Sequence, residues 1–78
     1  MKIYEGEEAY KVCNMILANG GYSTPIEGYD VFSAGFWREG DKWMAYDNTT
    51  GDCWVEEFKT RKEAKDWVLD RYELMNEI

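Results

Sequence analysis

The sequence predicts one α+β domain over residues 1–78: an α-β-β-β-α two-layer sandwich, a three-stranded antiparallel sheet packed against two helices. Three observations lead there. Apolar residues recur at the helical period near each end of the chain. Between them, from Asp30 to Phe58, the period drops to two, and two turn sequences divide that run. Four Trp, six Tyr and three Phe supply the large side chains needed by a domain that buries only roughly 60% of its unfolded surface.

After Met1–Tyr4 the first helix places Ala9, Val12, Cys13, Ile16 and Leu17 on one stripe. Glu5, Glu7 and Glu8 sit in its first turn, where negative charge complements the helix dipole. Asn19-Gly20-Gly21 stops it, both residue types tolerating the left-handed conformation of a helix end. Gly21 to Tyr29 reads as a loop around the single proline, Pro25. Three strands follow, Asp30–Arg38, Lys42–Asn48 and Asp52–Phe58, separated by Glu39-Gly40-Asp41 and Thr49-Thr50-Gly51. A two-residue turn at Gly40-Asp41 pairs Glu39 with Lys42 and Trp37 with Met44. The last helix opens on a capping box, Thr60 with Glu63 three residues on. Its inner face carries Ala64, Trp67, Val68, Tyr72 and Met75, with the stem of Arg71 beside them.

With this register, one sheet face carries Phe32, Ala34, Phe36, Trp43, Ala45, Trp54 and Phe58. The other carries Val31, Ser33, Gly35, Trp37, Met44, Tyr46, Cys53 and Val55. Ala34 and Ala45 leave room for helices among the large rings, so the first face is expected to be the core. The second then leaves Trp37, Met44, Tyr46 and Val55 partly open to water. They are either covered by the Gly21–Tyr29 loop or form a binding or self-association patch. A slip of one residue would exchange the two faces.

Lysine and arginine number 9 against 16 acids, a net charge of −7. That field disfavours direct contact with nucleic acid or anionic membranes and favours a basic partner. On the last helix Asp66, Asp70, Glu73 and Glu77 follow at steps of four, three and four along one side. Successive carboxylates then stand about 5–6 Å apart, close to the spacing of phosphates along a strand. The ridge is either a solvated helix face or a contact for lysines and arginines on a partner protein.

The chain has no histidine, which removes the commonest general base and metal ligand. Cys13 and Cys53 match no zinc or redox spacing and are expected to be reduced, partly buried thiols. Asn48-Thr49-Thr50 fits a glycosylation sequon, without meaning in the absence of secretion. Asp47 to Asp52 resembles a calcium loop only faintly, lacking the alternating ligands and the distal glutamate. It is expected to be a hairpin turn. Glu56 and Glu57 point to opposite faces of a strand and cannot act as a catalytic pair. No enzymatic activity, metal or cofactor is expected. No segment is long and apolar enough for a signal peptide or membrane span, so a cytoplasmic location is expected.

The run Lys42-Trp43-Met44-Ala45-Tyr46-Asp47, then Trp54-Val55-Glu56-Glu57-Phe58-Lys59-Thr60 and Glu63-Ala64, resembles small proteins of phages and mobile elements. In these a hairpin leads through a phenylalanine into a capped helix. In architecture and composition the chain is similar to anti-CRISPR proteins. The resemblance implies a stoichiometric inhibitor docking on a basic nucleic-acid-binding surface, a CRISPR effector being the partner it suggests. Asp66, Asp70, Glu73 and Glu77 would steer the encounter, with Trp37, Met44, Tyr46 and Val55 supplying affinity. Two other readings stay open: a housekeeping interaction module or homodimer built on the aromatic sheet face, and an antitoxin or immunity protein. The chain itself is expected to be a monomer or a homodimer.

Overall fold

The computed structural model describes residues 2–19 and 21–76, with side chains as far as Arg71. Its elements are β1 (Ile3–Glu5), α1 (Glu7–Ala18), β2 (Ala34–Glu39), β3 (Lys42–Asp47), β4 (Trp54–Phe58) and α2 (Arg61–Asn76). The strands form one mixed sheet in the order β1-β2-β3-β4, with β1 parallel to β2 and the other pairs antiparallel.

The expected three-stranded antiparallel sheet is thus corrected to four strands, one of them parallel. At three residues β1 is too short to display an alternation, and its strand character comes from its neighbour. Ala34 N–H donates to Lys2 O at 3.1 Å and Gly6 N–H to Phe36 O at 2.8 Å. Glu5 belongs to this strand rather than to the first turn of α1. The chain turns into the helix at Gly6, whose φ of 71° suits a glycine. At the far end Asn19 closes α1 in an extended conformation rather than a left-handed one, its N–H donating to Met15 O and Ile16 O.

The β2–β3 hairpin has the predicted register, Glu39 opposite Lys42 and Trp37 opposite Met44. Two strands begin later than their alternation suggested. Asp30 folds back to accept from Phe32 N–H at 3.0 Å, which keeps 30–33 out of the ladder. Cys53, at φ 49°, breaks the extended run before Trp54. At the start of α2 the cap forms in a variant way. Thr60 Oγ1 accepts from Glu63 N–H at 3.2 Å, while the Glu63 carboxylate receives the Thr60 hydroxyl at 3.0 Å instead of a backbone amide.

The two sheet faces sort as the alternation predicted, but the two-layer arrangement is corrected to three layers. α1 packs on the face of Tyr4, Trp37 and Tyr46, burying Ala9, Val12, Cys13 and Ile16 there. α2 packs on the opposite face, where Ala64 and Val68 meet Ala34, Phe36 and Ala45. The physical reason is that both faces are apolar. Because β1 and β2 run parallel, the chain must cross over between them, and α1 is that crossover. One helix alone would leave the other face wet. Gly35 makes the close approach possible: a Cβ there would lie 2.7 Å from Tyr46 Cε1, 2.8 Å from Tyr4 O and 2.9 Å from Ala9 Cβ.

Candidate functional site

The aromatic sheet patch expected to be half open is largely core. Trp37 is 8% exposed and Tyr46 fully buried, while Met44 is partly buried against the same cluster. α1, rather than the Gly21–Tyr29 loop alone, provides the cover. Of the four residues only Val55 is exposed, at 39%. Tyr10 of α1 lies over Trp37 with ring centroids 5.8 Å apart, and Trp37 is 6.4 Å from Tyr46. Burial raises the Tyr46 hydroxyl above its ordinary range, partly offset by its 2.8 Å hydrogen bond with Ser33. Beside this cluster an open hollow of about 580 Å³ lies between the start of α1 and the β2–β3 turn, lined by Glu7, Tyr10, Trp37 and Arg38 among others.

Two members of the acidic ridge can be placed. Asp66 and Asp70 are both exposed on α2, away from the buried Ala64 and Val68. Asp66 pairs with Lys62 one turn earlier at 2.7 Å, and that hydrogen bond raises the Lys62 ammonium above its ordinary value. Asp70 has no ion pair among the described residues. The side chain of Glu73, and Glu77 entirely, lie outside the described residues.

At the β3–β4 turn lies a buried polar cluster that no local pattern in the sequence signals. Asn48 is fully buried. Its Nδ2 donates to Tyr22 O and to Val31 O, both at 2.8 Å, while its Oδ1 accepts from Cys53 N–H at 3.0 Å. One side chain therefore ties the Gly21–Ser33 connection to the turn before β4. With both amide hydrogens engaged and no exposure, this sequon asparagine cannot carry a glycan in the folded chain. Asp47 beside it is also buried and receives Thr49 N–H at 2.9 Å, Thr49 Oγ1 at 2.6 Å and Arg71 Nε at 2.5 Å. Burial pushes against its charge, but the Thr49 and Arg71 hydrogen bonds outweigh that, and its carboxyl lies below the ordinary value. The guanidinium of Arg71 also lies over Trp67 at 4.8 Å and Trp54 at 5.9 Å. The expected hairpin turn is therefore a structural junction, braced from α2.

The two cysteines, forty residues apart in sequence, meet in the core beneath α1. Both thiols are free and buried. Their mutual hydrogen bond, aided by burial, raises Cys13, while the bond from Cys13 lowers Cys53. No group of three or more His, Cys, Asp or Glu side chains able to hold a metal ion occurs among the described residues. Among the described residues no helix is long and apolar enough to cross a membrane.

What remains at the surface is chiefly charge. Among the described residues four ion pairs join Lys42 to Glu57, Arg61 to Glu5, Lys62 to Asp66 and Arg71 to Asp47. Glu7, Glu8, Glu39, Asp52, Glu56, Glu63 and Asp70 are exposed and outside those pairs. Beside them stand exposed Trp54, Phe32 and Val55 at the β4 end of the sheet. Comparison with protein-family models, with curated proteins and with solved structures finds no match to the chain.

Proposed function

We propose that this chain is a non-enzymatic binding protein, an inhibitor that docks on a basic, nucleic-acid-binding surface of a partner protein. The observation that carries the reading is the division of the molecule. Both sheet faces pack against helices over most of their aromatic residues, so the acidic exterior and the open flank at β4 are what remain for recognition. A net charge of −7 is unfavourable for self-association and favourable for steering toward a cationic surface. Anti-defence activity against a CRISPR effector is the instance that the resemblance to anti-CRISPR proteins suggests. Asp66 and Asp70 are the described members of the α2 acidic ridge that such a surface would meet.

A homodimer built on Trp37, Met44 and Tyr46 has less support, because α1 occupies that face. An antitoxin or immunity protein would share the acidic exterior and differ only in its partner.

The test is quantitative capture from a bacterial lysate by the immobilised chain, with an Asp66→Lys/Asp70→Lys double variant in parallel. The reading predicts a captured nucleic-acid-binding protein that is released by high salt, displaced by nucleic acid and lost with the variant. Capture that neither nucleic acid nor the double variant disturbs would refute it.

A further inference from the structure

We propose that the outer edge of β4 takes up an extended, lysine- or arginine-bearing segment of the partner as a fifth strand of the sheet. This inference rests on the reading of the chain as an acidic protein with a basic partner, and it names where and how contact is made.

β4 is the last strand in the sheet order, and among the described residues only β3 pairs with it. The direction of each backbone group can be followed across the sheet. Ala34 N–H and Phe36 O point toward β1, while Ser33 O accepts from Asn48 N–H on the other side. Alternation therefore turns Asn48, Tyr46 and Met44 toward β2, and Asp47, Ala45 and Trp43 toward β4. Their partners Trp54, Glu56 and Phe58 face back into the sheet. Val55 and Glu57 are left with N–H and C=O directed outward. An unpaired edge of this kind is a template for strand addition. Both faces of β4 are open as well: Trp54 is 53% exposed, and Val55, Glu56 and Glu57 are exposed.

Charge decides the occupant. Glu57 is engaged by Lys42 at 3.2 Å, whereas Glu56 belongs to no ion pair among the described residues, and it projects on the same face as Trp54. A second copy of this chain fits poorly. Antiparallel self-pairing centred on Glu56 or Glu57 sets a carboxylate directly against its own copy. Centring on Val55 runs within two residues into Cys53, where φ 49° ends the extended backbone. An incoming strand with alternate basic side chains instead meets Glu56 across the ladder. Its aliphatic stems can cover Trp54.

The experiment uses the full chain and a synthetic peptide of alternating lysine and threonine. A peptide of the same charge interrupted by prolines and an alternating glutamate–threonine peptide serve as comparators. The lysine–threonine peptide is expected to slow hydrogen exchange at the Val55 and Glu57 amides. Val55→Pro removes one outward donor and no bond to β3, and is expected to weaken binding about tenfold, whereas Val55→Ala is not. Should Val55→Pro fail to fold, Glu57→Pro removes the other outward donor. Glu56→Gln should weaken the lysine–threonine peptide, and the interrupted and acidic peptides should leave both amides unprotected. If wild type and the proline variant bind the peptide equally, or the interrupted peptide binds as well, the acidic surface attracts cations without strand addition. The edge inference then falls while the wider reading stands. If the peptide leaves both amides unprotected, the inference is overturned too, and the lysate capture judges the wider reading separately. A dimer that Val55→Pro dissociates would replace the basic segment with a second copy.

Discussion

Replacing Asn48 by alanine removes the two donated bonds to Tyr22 O and Val31 O and the accepted bond from Cys53 N–H. Each intramolecular hydrogen bond contributes roughly 0.5–1.5 kcal/mol net. The bonds to Val31 O and from Cys53 N–H are buried, while that to Tyr22 O is part-buried, which places the sum near the middle of its range, about 3 kcal/mol. Domains of this size have roughly 4–12 kcal/mol in total, so the substitution removes a large share. At about 4–8 °C per kcal/mol for a domain this small, the midpoint should fall roughly 12–24 °C. Chemical denaturation followed by tryptophan fluorescence, alongside calorimetry, measures both. A loss below about 1 kcal/mol would refute the assignment of Asn48 as the junction of the connection and the turn. Asn48→Asp adds a test of polarity. It keeps the acceptor but turns a carboxylate toward two carbonyl oxygens, which raises its folded pKa above the unfolded value of about 3.9. Its deficit should therefore be largest at neutral pH and shrink as pH falls toward about 4.

Three further outcomes are expected. Gly35→Ala forces a Cβ into contacts of 2.7–2.9 Å with Tyr46, Tyr4 and Ala9; thermal melts should show a loss of about 1–3 kcal/mol. Asp47→Asn should cost about 1–2 kcal/mol at pH 7, discounted because the Arg71 side chain is 35% exposed. Since the folded pKa of Asp47 is depressed, its stabilisation is complete above about 3.9 and fades as pH falls through the lower folded value. Denaturation curves of wild type and variant should therefore converge in acid. Cys13 and Cys53 are buried, so a colourimetric thiol reagent should react with neither in the native chain and with both in denaturant.

Much of the local structure was legible because it depends on spacing alone. The stripe from Ala9 to Leu17, buried as far as Ile16 and exposed at Leu17, the Gly40-Asp41 hairpin and the Thr60–Glu63 cap each follow from a few neighbouring residues. The sorting of residues between sheet faces was legible for the same reason, since alternation is local. β1 was not, because three residues cannot show a period. The candidate site was legible only in part. Asp66 and Asp70 emerge on the surface of α2 as their spacing implies, whereas Trp37 and Tyr46, which alternation alone leaves partly open to water, lie in the core.

By itself, then, the sequence determined the helices, the hairpins, the sorting of the apolar residues of β2, β3 and β4 between the two faces and the acidic balance of the exterior. Only the tertiary structure decided that the helices take opposite faces, that Asn48 and Asp47 form a buried junction, and that Cys13 meets Cys53. It also decided that β4 keeps an open edge. The physical reason is range: periodicity reports which way a side chain points, while burial depends on what arrives from elsewhere in the chain. Val31 and Asn48, or Asp47 and Arg71, carry no mark of each other until the strands and helices are assembled.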